Sequence, residues 1–184
     1  TCAKCRVGKY SSRAASTCLI CVVGTFANET GSSFCWQCPS DSFSGNGSVV
    51  RSNCTCNRGY IGPDGGPCRA CGPGTYSADA GSASCVMCAT GKYINASGST
   101  SCTPCDVGTF ANRTGSSYCW DCPSHAFSSE GSDNVTDCLC NAGYRGPNGG
   151  LCAACSTGTY KDVNGPSACS ACALGKYSNT TGQT

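Results

Sequence analysis

Apolar residues are spread thinly along the chain and follow neither a helical nor a strand period over any long stretch. No segment keeps a 3.6-residue period over ten residues, and glycine interrupts every short apolar group. Leu, Ile, Val and Phe supply only 21 of the 184 residues, too few for a conventional hydrophobic core. The pattern predicts short two-stranded β ribbons and loops, with little or no helix.

One aromatic residue does recur regularly, four or five positions after the second cysteine of each closely spaced cysteine pair. In seven units the local sequence is Gly-Thr-aromatic or Gly-Lys-aromatic. The glycine predicts a tight turn that places the ring against a neighbouring disulfide. We interpret the rings as packing groups, with stacking on a carbohydrate or another ligand as the alternative. These ladder aromatics are Tyr10, Phe26, Phe43, Tyr60, Tyr76, Tyr93, Phe110, Phe127, Tyr144, Tyr160 and Tyr177.

The cysteine pattern repeats after 84 positions, so the chain holds a little over two copies of a five-unit super-repeat. Residues 1–4 end a preceding unit, 5–87 and 88–171 form two super-repeats, and 172–184 start a third. We expect the sequence to be a fragment of a longer repetitive chain. Units this small should contact mainly their neighbours along an elongated rod.

The 22 cysteines predict a disulfide scaffold of the kind found in secreted proteins. The spacing C-x2-C-x13-C-x2-C also lies close to that of zinc ribbons. However, His125 is the only histidine, so almost every zinc site would need four thiolates. Disulfides are therefore favoured over zinc and over redox-active C-x-x-C motifs, and no metal or cofactor is predicted.

N-glycosylation sequons occur at more than twice the number expected by chance, which favours passage through the secretory pathway. We expect covalent N-glycans and a secreted location at a cell or flagellar surface, and O-glycans on serine and threonine remain open. The sequon asparagines are Asn28, Asn46, Asn53, Asn95, Asn112, Asn134 and Asn179.

Spacing alone does not determine the disulfide connectivity, and an interleaved scheme (first with third, second with fourth) stays open. One serial scheme treats every unit alike by joining the second cysteine of each pair to the first cysteine of the next. It predicts Cys5–Cys18, Cys21–Cys35, Cys38–Cys54, Cys56–Cys68, Cys71–Cys85, Cys88–Cys102, Cys105–Cys119, Cys122–Cys138, Cys140–Cys152 and Cys155–Cys169. Cys2 and Cys172 would then pair with cysteines outside this sequence.

Catalytic chemistry is not predicted. His125 corresponds to Asp41 in the other copy, and a catalytic base would hardly be exchangeable between matching repeats. The carboxylates form no acid/base pair or acidic metal loop. A net charge of +2 without basic clusters gives no reason to expect nucleic acid. No apolar run approaches the roughly 20 residues that span a bilayer, so we expect no membrane insertion of these residues.

Several motifs resemble known cysteine-rich modules. The segment 21–39, with its Cys-x2-Gly-Thr-Phe start and Cys-x2-Cys-Pro end, resembles the ephrin-receptor-like repeat. The segment 54–68 resembles the last loop of an epidermal-growth-factor-like (EGF-like) module, which implies the bonds Cys56–Cys68 and Cys140–Cys152. Tumour-necrosis-factor-receptor modules close a similar C-x13-C loop, which implies Cys21–Cys35.

The tandem array from Cys140 to Tyr160 is also similar to those in large secreted proteins of heterokont algae, including the proteins of tubular flagellar hairs (mastigonemes). That resemblance implies a glycosylated structural protein that forms polymers. It adds no catalytic residue.

The resulting hypothesis is a non-catalytic, extracellular, disulfide-stapled rod that self-associates into a filament or flagellar hair, with other extracellular structural proteins as further partners. Phe34, Trp36, Tyr118 and Trp120 are predicted to form the lateral contact, or alternatively to cap their own disulfides. The rival hypothesis is a receptor or adhesion-protein ectodomain stalk. A zinc-rich intracellular protein is a third, remote class.

Overall fold

The computed structural model describes residues 2–184, and over that range the chain consists of short antiparallel ribbons joined by turns. Twenty two-residue strands form ten ribbons, in which each odd-numbered strand pairs with the next strand along the chain. The strands are β1 Lys9–Tyr10, β2 Leu19–Ile20, β3 Thr25–Phe26, β4 Trp36–Gln37, β5 Ser42–Phe43, β6 Thr55–Cys56, β7 Tyr60–Ile61, β8 Arg69–Ala70, β9 Thr75–Tyr76, β10 Val86–Met87, β11 Lys92–Tyr93, β12 Thr103–Pro104, β13 Thr109–Phe110, β14 Trp120–Asp121, β15 Ala126–Phe127, β16 Leu139–Cys140, β17 Tyr144–Arg145, β18 Ala153–Ala154, β19 Thr159–Tyr160 and β20 Ser170–Ala171.

Helical structure in residues 2–184 is limited to two single turns of 3₁₀-helix, Arg51–Asn53 and Val135–Asp137, at matching positions of the two copies. The prediction of short ribbons with little or no helix is therefore confirmed. Glycine explains the short strands, because the glycine that precedes each Thr/Lys-aromatic dipeptide has a positive φ, as at Gly24 (80°) and Gly108 (83°).

Ten disulfides close the loops between ribbons. Each joins the second cysteine of one pair to the first cysteine of the next, with 12 to 16 residues of sequence separation. The structure thus contains the serial arrangement and not the interleaved one. The bonds are Cys5–Cys18, Cys21–Cys35, Cys38–Cys54, Cys56–Cys68, Cys71–Cys85, Cys88–Cys102, Cys105–Cys119, Cys122–Cys138, Cys140–Cys152 and Cys155–Cys169.

Cysteine takes the place of a conventional core. The buried apolar side chains in the described part of the chain are ten cysteines together with Phe26, Phe110, Ala27 and Ala111. The ladder aromatics do not all pack alike, since Phe26 is 7 % exposed whereas Phe43 is 40 % exposed. The expectation that every ring fills space against a disulfide is therefore wrong for the exposed members.

The described chain divides into two compact units. The first runs to Val86 and adds Ala96–Ser101, and the second comprises Met87–Asn95 and Cys102–Thr184. Within each unit, backbone hydrogen bonds connect successive ribbons. In the first, Gly8 N–H donates to the Ala27 carbonyl oxygen at 2.8 Å.

The second unit repeats these bonds at matching positions. Gly91 N–H donates to the Ala111 carbonyl oxygen at 2.8 Å, and Gly115 N–H donates to that of Cys88 at 2.8 Å. Backbone groups of neighbouring ribbons therefore bond to one another, although each strand is only two residues long. This bonding and the disulfides stabilise the fold in the absence of a large apolar core.

Two glycines at matching positions allow unusually close approach of the backbone. A Cβ atom added to Gly59, whose φ is +82°, would lie 2.1 Å from the Gly98 carbonyl oxygen. At Gly143, with φ +81°, the corresponding distance to the Gly182 carbonyl oxygen would be 2.3 Å. At these two positions, both the positive φ and the lack of a side chain are needed.

Candidate interaction surface

An exposed pair of aromatic rings stands on the ribbon formed by β3 and β4. Phe26 and Trp36 are cross-strand partners, but Phe26 is buried and Trp36 is 54 % exposed. Phe34, two residues before Trp36, meets it edge-to-face with ring centroids 4.6 Å apart and an interplanar angle of 68°. This is a favourable geometry for aromatic pairs.

The same arrangement recurs at the matching position of the second copy, on the ribbon of β13 and β14. Phe110 is the cross-strand partner of Trp120, and Tyr118 meets Trp120 edge-to-face at 4.7 Å and 65°. Trp120 is 51 % exposed, which is close to the value for Trp36. Two exposed aromatic pairs with nearly the same geometry therefore mark equivalent surfaces of the two super-repeats.

An open cleft of about 420 Å³ borders the second pair, lined by Phe110, Asn112, Arg113 and Trp120. A smaller cleft beside it includes Tyr118 and shares Arg113 and Trp120. The indole of Trp120 thus lines two adjoining depressions. Exposed apolar groups of this kind are typical of interaction sites rather than of a folded interior.

Local sequence explains why these tryptophans stay at the surface. Trp36 lies between Cys35 and Cys38, and both cysteines are held by disulfides to different partners, Cys21 and Cys54. The buried apolar positions around this ribbon are occupied by sulfur and by Phe26, and the indole stays at the surface. The sequence predicted these four aromatics as a contact surface or as disulfide caps, and the structure leaves them about half exposed.

The seven sequon asparagines all have exposed side chains. Two of them also make local hydrogen bonds. The Asn53 Oδ1 accepts from the Val49 and Val50 backbone N–H groups at 3.0 and 3.2 Å. The Asn134 Oδ1 accepts from the backbone N–H and the hydroxyl of Thr136, both at 3.0 Å.

The remaining predicted positions are two cysteines and the single histidine. Within residues 2–184, Cys2 and Cys172 carry no disulfide, and their pairing with cysteines outside this sequence stays a prediction. His125 is exposed, has a φ of +62° and stacks on Tyr144 at 4.1 Å. No cluster of three metal-ligating side chains occurs among the residues that the structure describes.

Lys161 is a residue that the sequence reasoning missed. It is only 3 % exposed, and its Nζ donates to the Tyr144 carbonyl oxygen at 2.6 Å and to that of Gly165. Burial lowers the pKa of this ammonium below its ordinary value, because desolvation penalises the charged form. The sequence held one signal for this site: the residue at the matching position of the first copy is Ser77, so lysine and serine replace one another there.

Taken together, the serial disulfides, the short ribbons and the cysteine core define a disulfide-rich tandem-repeat protein. Disulfide-dense small repeats of this kind are typical of extracellular proteins. None of the helical turns in residues 2–184 has the length or apolar character needed to cross a bilayer.

Comparison with known families agrees with this class. The family described as tyrosine-protein kinase ephrin type A/B receptor-like matches residues 8–54, 59–101 and 91–138, well over half of the chain. The chain therefore belongs to the ephrin-receptor-like family of cysteine-rich repeats. The resemblance to ephrin-receptor-like repeats inferred from the sequence is confirmed.

Two mammalian proteins are similar to part of the chain. The human "Signal peptide, CUB and EGF-like domain-containing protein 2" is 36 % identical over 94 residues, which are 46 % of this chain and 9 % of that protein. The mouse protein of the same name is 34 % identical over 92 residues, with the same shares. The chain thus covers less than a tenth of either relative.

Proposed function

We propose that this chain is part of a non-catalytic, extracellular structural glycoprotein whose repeats form a disulfide-stapled rod. The rods assemble side by side into a filament of the flagellar-hair (mastigoneme) type. The observation that carries the proposal is the recurrence, in both super-repeats, of an exposed aromatic pair with nearly the same geometry, 4.6 Å in one copy and 4.7 Å in the other.

Recurrence matters because a polymer needs the same surface at regular intervals. A contact that joins one chain to the next without closing on itself extends into a fibre. Phe34 with Trp36, and Tyr118 with Trp120, supply two such surfaces from matching ribbons. Lateral packing would remove the exposed parts of four aromatic side chains from water, which is favourable.

Exposed sequons support the extracellular part of the proposal. All seven asparagines are accessible to glycosylation in the folded chain. Glycans would coat the rods and limit assembly to surfaces that remain free. The partners of this chain are then further copies of itself and other extracellular structural proteins.

A receptor or adhesion-protein ectodomain stalk is the second candidate. The observation in its favour is the similarity to proteins whose names include CUB and EGF-like domains, and the family match fits it equally well. In that case the repeats would act as a monomeric spacer, and the aromatic pairs would cap their own ribbons.

Electron microscopy of the native secreted protein, prepared without detergent or reductant, distinguishes the two candidates. We expect long regular fibres from the wild-type chain and separate particles from the double variant Trp36→Ser/Trp120→Ser. The matched control is Val23→Ser/Val107→Ser, which removes another exposed apolar pair (58 % and 67 % exposed) at matching positions of the two copies. Normal fibres from the tryptophan variant, or thin single rods from the wild type, would overturn the proposal.

A further inference from the structure

A sequon asparagine, Asn112, lies beside Trp120, and Asn28 holds the matching sequence position near Trp36 in the first super-repeat. In four of the seven sequons the asparagine follows a ladder aromatic by two positions, and these are Asn28, Asn95, Asn112 and Asn179. Asn112 lies two residues after Phe110, just beyond the end of strand β13. Phe110 pairs with Trp120 across the ribbon, and Asn112 and Trp120 line the same cleft.

We propose that the first N-acetylglucosamine of the glycan on Asn112 packs in this cleft against one face of the Trp120 indole. The sugar on Asn28 packs on Trp36 in the same way. The inference rests on the proposed glycosylation but not on filament assembly. Each exposed tryptophan is thus a platform for the sugar carried by its own ribbon.

The chemistry of both partners suits this contact. A pyranose presents C–H groups on its less polar face, and the face of an aromatic ring carries negative charge that attracts them. The cleft also brings Arg113, whose N–H groups can donate to oxygen atoms of the sugar. Because the sugar is tethered through Asn112, little translational entropy is lost when it packs.

The indole can serve a sugar and a protein neighbour together. Tyr118 meets Trp120 edge-to-face and lines the second depression, whose lining does not include Asn112. A sugar in the first cleft leaves the exposed edge of Tyr118 free. The lateral contact proposed for the filament can therefore form on the Tyr118 side of a glycan-covered tryptophan.

Asn95 provides a matched control within the chain. It also follows a ladder aromatic, Tyr93, by two positions and has an exposed side chain. The cross-strand partner of Tyr93 is Thr103, however, rather than a tryptophan. A glycan on Asn95 has no indole opposite it and should leave tryptophan signals unchanged.

Intrinsic fluorescence tests the proposal directly, because Trp36 and Trp120 are the only two tryptophans of the chain. The secreted glycoprotein is treated under native conditions with an amidase that removes whole N-glycans. A parallel sample receives an endoglycosidase that leaves the first N-acetylglucosamine in place. Mass spectrometry of the glycopeptides records occupancy, and acrylamide quenching reports access to the indoles.

We expect whole-glycan removal to shift the emission to the red and to raise the quenching constant about two-fold, because one of the two faces of each indole becomes accessible. Trimming to the first sugar should change neither signal. The variant Thr30→Val/Thr114→Val, which abolishes both sequons but keeps both asparagines, should match the amidase result. Asn95→Gln should match the wild type.

Two results would overturn the inference. Occupied Asn28 and Asn112 with an unchanged quenching constant after amidase treatment would show that the sugars do not cover the tryptophans, while leaving glycosylation and the filament intact. Unoccupied sites would also remove the inferred contact, together with this part of the proposed glycosylation.

Discussion

The two super-repeats share their backbone almost completely but differ in side chain at three constrained positions. Ser77 corresponds to Lys161, Asp41 to His125, and Asn53 to Asp137, each at the same position of its own copy. Comparing these positions separates what the fold requires from what it tolerates. A role carried by the backbone admits different side chains, whereas a role carried by a side-chain atom restricts the choice.

Asp41 and His125 illustrate a role carried by the backbone. Their φ values are +60° and +62°, and their carbonyl oxygens accept from Asn57 and Asn141 N–H at 2.8 and 2.9 Å. An aspartate and a histidine thus occupy the same left-handed turn and make the same bond. The stacking of His125 on Tyr144 is an addition to a turn that forms without it.

Asn53 and Asp137 illustrate a role carried by one oxygen atom. The Asn53 Oδ1 accepts from the backbone N–H groups of the two residues just before the 3₁₀-helix Arg51–Asn53. In the other copy an Asp137 carboxylate oxygen accepts from the Asp133 and Asn134 N–H groups at 3.1 and 3.0 Å. The position requires an acceptor and admits either residue.

The largest effect is expected from a glycine that both copies require. Gly59→Ala and Gly143→Ala should each lower the free energy of unfolding by about 3 kcal/mol or more, because a methyl group would collide with a backbone carbonyl and the positive φ would be strained. Gly24→Ala and Gly108→Ala are the controls, since nothing lies within 4 Å of an added Cβ there. They should cost about 1 to 2 kcal/mol.

Urea unfolding with the disulfides intact measures these losses. Equal losses at Gly59 and Gly143 would show that the two super-repeats depend on the same close contact. A loss at Gly59 no larger than at Gly24 would mean that the carbonyl contact does not form.

An intermediate effect is expected at the buried lysine. Lys161→Ser copies the Ser77 site and should change stability at neutral pH by less than about 1 kcal/mol, whereas Ser77→Lys should lose about 2 kcal/mol by burying a charge. Ser77 is 1 % exposed and its hydroxyl donates to the Asp79 carbonyl oxygen. The matching buried position of the first copy therefore holds a small hydroxyl with its own carbonyl acceptor, where an ammonium would have to be desolvated.

Lys161 also makes stability depend on pH. Its pKa is lowered in the folded state, so the unfolded chain binds more protons between the folded and unfolded pKa values. The wild-type chain should therefore gain stability relative to Lys161→Ser as the pH rises through the folded pKa toward the ordinary lysine value. Unfolding midpoints compared at several alkaline pH values, with free thiols alkylated, check this sign. A stability difference that shifts in favour of Lys161→Ser as the pH rises would contradict this predicted sign.

The smallest effects are expected at the shared acceptor. Asn53→Asp should alter stability by less than about 0.5 kcal/mol because the second copy already uses aspartate. Asn53→Ala and Asp137→Ala should each lose about 1 kcal/mol with the acceptor oxygen. Thermal unfolding of all three variants measures these changes. If Asn53→Ala left the stability unchanged, the hydrogen bonds from Val49 and Val50 would contribute nothing to it.

Much of the fold follows from the sequence because the cysteine spacing is so regular. The short ribbons were predictable from scarce apolar residues and frequent glycine, whereas the spacing left the disulfide connectivity open, with the serial scheme as one candidate beside the interleaved one. Gly59 and Gly24 precede their aromatics in similar turns, however, and only the structure separates them. The close carbonyl at Gly59 comes from Gly98, a distant residue in sequence.

The exposed surface was harder to predict. Trp36 could have capped its own disulfide, and its exposure depends on how the sulfur atoms and Phe26 fill the interior. Lys161 was missed because lysine is normally exposed, and its burial depends on the carbonyl oxygens of Tyr144 and Gly165. In both cases the environment comes from residues that local sequence patterns do not specify.

The serial disulfides also set how far the chain can stretch under tension. Cys5 and Cys18 have Cα atoms 5.7 Å apart, so a pulling force crosses the bond and bypasses the loop between them. With three peptide steps to the next crossing, a unit reaches about 17 Å, against about 55 Å for 16 unlinked residues. Thiol reductants should therefore raise the greatest length of the strand about three-fold, so that its mechanical compliance depends on redox state.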